Sequence, residues 1–89
     1  MAEIEVSEAG EGFQVVVREG ASATRHSVRA SAAELQRLAP GRPAKQVIEA
    51  AFRFLLDREG KESILARFGV SDISRYFPEF DRVIAEYLP

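Results

Sequence analysis

The hydrophobic spacing of this chain changes period once, at Ser31. Upstream, residues 3–7 (EIEVS), 13–19 (FQVVVRE) and 24–30 (TRHSVRA) alternate apolar with polar side chains or cluster β-branched ones, and the glycine-bearing stretches EAGEG and GASA separate them. Segments of period two broken by such turns read as antiparallel strands. Downstream, apolar residues recur three and four positions apart, the spacing of helices with one buried face. The expected fold is α+β: a three-stranded antiparallel β-meander over residues 1–30, followed over 31–89 by four or five helices packed on one face of the sheet. The whole forms one small domain, 1–89.

Strand geometry sends alternate side chains to opposite faces. Ile4, Val6, Phe13, Val15, Val17, His26, Val28 and Ala30 therefore share the face that needs a helical cover. Glu3, Glu5, Gln14, Val16, Arg18, Arg25, Ser27 and Arg29 share the other. Ser31 and Glu34 form a capping box that opens a short helix with Leu35 and Leu38 inward. A longer helix is expected from Pro43 to Gly60, with Val47, Ile48, Ala51, Phe52, Leu55 and Leu56 as its apolar stripe and Phe54 to one side. Three further pieces follow: a short helix over 62–68 closed by Gly69, a turn of helix from a capping Ser71 to Phe77, and a last helix from Pro78 through Leu88.

Composition bounds the function. A chain of 89 residues, 46% hydrophobic, folds as a small globular domain with a marginal core, so a homodimer is expected. The absence of cysteine removes disulfides, thiol nucleophiles and cysteine zinc sites. The acidic start lacks the basic and apolar parts of a signal peptide, and no apolar run is long enough for a membrane span, so a cytoplasmic protein with no membrane partner is expected. One histidine, no G-x-S-x-G elbow and scattered glycines offer no catalytic constellation, phosphate loop or metal site. The chain reads as no enzyme, with no cofactor.

The stretch ESILARFGVSDISRYFPEF looks like a helix-turn-helix but fails its geometry. Ile73 stands only four residues after Gly69, and Pro78 would fall inside the reading helix, at a cost of about 3 kcal/mol. Its aromatic residues read as packing or, for Tyr76, Phe77 and Phe80 around Pro78, as an apolar anchor for a protein partner.

Charge is unevenly distributed. Residues 1–23 carry five glutamates against Arg18, whereas residues 24–45 carry Arg25, Arg29, Arg37, Arg42 and Lys45 against Glu34 alone. The same basic span, TRHSVRASAAELQRLAPGRPAKQVIEAAFRFLLDR, resembles the ribbon-helix-helix family of bacterial transcription factors and antitoxins. The shared order is an alternating strand, a capped short helix ending in Leu-Ala, a glycine-containing turn and a longer helix with an IxxAxxxLL-like core. The resemblance implies a dimer whose paired strands enter the major groove of DNA. It assigns Arg25, Ser27 and Arg29 to base edges, and the Gly41–Lys45 turn, with Arg42 and Lys45, to phosphate.

Two readings of function stand side by side. One is a dimeric DNA-binding regulator or antitoxin; the other is a DNA-independent protein-interaction module. A third account takes Arg25 and Arg29 simply as part of a solvated sheet face. The outer edge of strand 24–30 separates the first two: free to pair with a second copy, it favours DNA; covered, it does not.

Overall fold

The computed structural model describes residues 2–89. Strands β1 (Glu3–Ala9), β2 (Gly12–Glu19) and β3 (Ser22–Arg29) form the expected antiparallel meander, with Val6 opposite Val15, Val15 opposite His26 and Phe13 opposite Val28. Both hairpins turn over two residues and place glycine first, Gly10 at φ 60° and Gly20 at φ 58°. Such a positive φ strains any residue with a Cβ, which is why AGEG and EGAS can fold back so tightly. Phe13, Val15, Val17, His26 and Val28 are buried while Gln14, Arg18, Arg25 and Arg29 are exposed, so the alternation read from the sequence holds.

The sheet has a fourth strand that the sequence reading missed. Residues 62–68 are not a helix: Lys61–Ser63 make a single 3-10 turn, and Arg67–Gly69 form β4, which lies parallel to β3 with Ser27 opposite Arg67 and Arg29 opposite Gly69. The strand order is β1-β2-β3-β4, a mixed rather than purely antiparallel sheet. Two helices form the crossover between β3 and β4, as parallel pairing requires.

The first of these, α1 (Ala32–Leu38), begins at the expected capping box: the Glu34 amide donates to the Ser31 hydroxyl at 3.1 Å and the Ser31 amide to the Glu34 carboxylate at 2.9 Å. The second, α2 (Ala44–Leu56), starts after Pro43 and ends short of the expected Gly60. Residues 57–60 instead turn towards the 3-10 segment. Val47, Ile48, Ala51, Phe52, Phe54 and Leu55 are buried along α2, while Leu56 is only half-buried.

Helix α3 (Val70–Tyr76) is capped two residues earlier than Ser71, by Gly69, whose amide donates to the Asp72 carboxylate at 2.9 Å. The expected last helix is divided into α4 (Phe80–Val83) and a 3-10 turn over Ile84–Tyr87. Buried residues from sheet and helices make one cluster, with Phe52, Phe54 and Phe80 at most 1% exposed. Full burial of side chains of this kind contributes about 1.5–3 kcal/mol each. Phe54 is the hub of its aromatic part, meeting Phe80 at 4.9 Å and Phe77 and Tyr87 at 5.8 Å, all edge to face. The Arg58 guanidinium covers the Phe54 ring at 3.6 Å.

Candidate functional site

Three features hold the segment leading into β4. His26 is buried on β3 with its ring 5.3 Å from Phe52. Its Nδ1 lies 2.8 Å from the Leu65 carbonyl, and because a carbonyl only accepts, Nδ1 carries the proton and Nε2 is free to accept from the Thr24 hydroxyl at 2.9 Å. The Ser27 amide donates to the Ala66 carbonyl at 2.7 Å. Lys61, whose side chain is buried, reaches Glu62 at 2.6 Å and Glu19 at 3.4 Å, tying the 3-10 turn to the end of β2.

This clamped backbone leaves the Leu65 side chain pointing outward, 53% exposed. Tyr76, at the end of α3, is 69% exposed. Both side chains line one groove of about 230 Å³, walled by Leu55, Ile64, Phe68, Ile73 and Phe77, with Glu59, Ser63 and Asp72 as its polar members. They are the two large hydrophobic residues found exposed among the described residues. Isolated exposed leucines and tyrosines are ordinary, but here the two share one apolar groove.

The groove is firm on the α3 side. Asp72 accepts from Gly69, from Arg75 at 3.2 Å, and faces Arg29 at 3.6 Å. These contacts, the Gly69 amide first, hold its carboxyl below the usual aspartate range.

The residues expected to contact a partner separate. Tyr76 is on the surface and Phe77 is half-buried in the groove wall, but Phe80 is fully enclosed beside Phe54 and offers no contact surface. Pro78 does not present it outward, because the chain turns at that point and delivers Phe80 into the core as the first residue of α4. Sequence reasoning passed over Leu65, Ile64 and Phe68 as groove residues, since the groove joins three segments with no common period.

The residues expected to contact DNA also divide. Arg25, Ser27 and Arg29 lie on the uncovered sheet face, where Ser27 accepts from the Gln14 side chain at 2.8 Å. Arg67 joins them from β4, opposite Ser27, and no sequence signal marked it. Arg42, bonded to Gln46 at 3.5 Å, and Lys45 belong to the approach and first turn of α2. None of the described hydrogen bonds or ion pairs joins them to β3. The outer edge of β3 is occupied by β4 along residues 27–29.

No family model matches this sequence, and no match is found among curated proteins or solved structures. Function therefore rests on the chain's own geometry. Among the described residues no helix is long and apolar enough to cross a membrane.

Proposed function

We propose that this protein is a non-catalytic interaction module that holds a protein partner at the groove between Leu65 and Tyr76. The observation that carries the reading is the placement of both exposed large apolar side chains on the same apolar hollow, over backbone fixed by His26, Ser27 and Asp72. Preorganised apolar anchors lose little conformational entropy on binding, so a small contact gains affinity that a loose loop would forfeit. The hollow is smaller than the roughly 300–1,000 Å³ of small-molecule sites, and suits one or two side chains of a partner.

Photo-crosslinking tests it directly. A photoreactive residue is placed at Leu65, at Tyr76 and, as control, at the exposed Glu8 on the opposite edge strand. A discrete adduct from the first two positions and not from Glu8 is the expected result. No adduct, or the same adducts from all three, removes the groove as the contact.

A DNA-binding reading is favoured by one specific observation: Arg25, Arg29 and Arg67 crowd the open sheet face around Ser27. Against a ribbon shared by two copies stands β4, which already fills part of the edge such a ribbon would use. Any duplex would have to meet the sheet face itself. On this reading Arg25→Ala with Arg29→Ala weakens a salt-sensitive binding, measured by fluorescence anisotropy, and leaves thermal stability nearly unchanged. Absence of duplex binding at low salt removes it.

A further inference from the structure

Carboxylates near the groove differ in whether they are already paired. Asp72 is neutralised by Arg75 and Arg29 as well as by the Gly69 amide. Glu62 is paired with Lys61 at 2.6 Å and Glu79 with Arg58 at 3.1 Å. Glu59 lines the groove, is half-buried, and has no ion pair or side-chain hydrogen bond among the described residues. The basic side chains nearest to it in sequence are committed elsewhere. Arg58 lies on the Phe54 ring and reaches the Phe54 carbonyl, Glu79 and Tyr87, and Lys61 points to Glu62 and Glu19.

We propose, building on the groove as a protein contact, that it selects a partner segment in which a lysine or arginine stands beside one or two large apolar side chains, with Glu59 reading the positive charge. An apolar side chain that fills the hollow also strips water from Glu59, and a carboxylate desolvated without a partner is costly. A cation arriving with that side chain removes the cost, whereas an acidic residue there adds repulsion. Lysine and arginine are suited to this position, because their aliphatic stems lie along apolar walls while their charged ends reach outward. The exposed ring of Tyr76 offers the same cation a second contact.

The test pans a display library of random peptides on three proteins: the natural chain, Glu59→Lys, and Leu65→Ser with Tyr76→Ser. The natural chain should enrich peptides with lysine or arginine next to an apolar residue. Glu59→Lys should keep the apolar residue and exchange the neighbour for aspartate or glutamate, and the double variant should enrich nothing. Tyr76→Ser alone replaces the double variant if the latter does not fold. For one enriched peptide, Glu59→Gln should weaken binding about threefold to fivefold, with the loss shrinking as salt rises. Groove-dependent peptides without a basic residue, or a set unchanged by Glu59→Lys, overturn the role of Glu59 and leave the groove reading intact. No enrichment, or enrichment that survives the double variant, overturns both. Sedimentation showing self-association that the double variant abolishes makes a second copy the occupant and likewise overturns the proposal.

Discussion

Gly12 shows a strand depending on a missing atom. It opens β2 opposite Arg29, and a Cβ built there would collide with the Val28 carbonyl oxygen, a backbone atom that cannot swing aside. Gly12→Ala should therefore destabilise the protein by about 1–3 kcal/mol, the usual cost of overpacking, when unfolding is followed in urea. A loss below about 0.5 kcal/mol would mean that β2 and β3 separate locally to admit the methyl group. This role was illegible in the sequence, where Gly12 reads as part of the turn EAGEG. His26 was half legible: the alternation placed it on the buried face, but the partners that make its burial tolerable are Thr24, two residues away, and the Leu65 carbonyl, thirty-nine residues away. No local pattern reveals the second.

Among elements, α1, α3 and α4 are joined through Asp81. Its carboxylate accepts from Ser74 at 2.6 Å and from Arg37 at 2.9 Å, and these bonds, Ser74 first, hold its carboxyl below the ordinary value of 3.8. A depressed carboxylate contributes stability above its unfolded-state pKa and loses it as pH falls through the folded value. Asp81→Asn should thus be modestly less stable than the natural chain at neutral pH, and the gap should close on acidification below 3.8. Chemical denaturation of both proteins at neutral and acid pH checks this, and a gap that persists in acid would assign the loss to geometry rather than charge. Elements differed sharply in legibility. The three meander strands and α1 carry their own signals, in alternation, turn glycines and a capping box. β4 carries none: three residues have no period, and Ile64 and Phe68, four apart, imitate a helical stripe. Its strand character comes from pairing with β3 across the α1–α2 crossover, a long-range contact that local spacing cannot encode.

At the scale of the molecule, the core and the groove rim are separable. The helical part closes one face of the sheet around Phe52, Phe54 and Phe80, and Leu65 and Tyr76 stand outside that closure, on backbone held by hydrogen bonds rather than by their own packing. Leu65 is already 53% and Tyr76 69% exposed, so replacing them removes less buried area than cutting a core side chain, and area removed from water is what stabilises a domain this small. Leu65→Ser with Tyr76→Ser should consequently lower the unfolding free energy by only about 1 kcal/mol, the share of burial these two side chains have. The same change should abolish the peptide enrichment described above. Loss of binding at so small a cost in stability is the signature of a contact surface, because a side chain retained for packing fails both measurements together. A fall of about 2–5 kcal/mol, the range for large side chains cut from a core, would place Leu65 and Tyr76 in the interior in solution and leave the groove without its apolar rim.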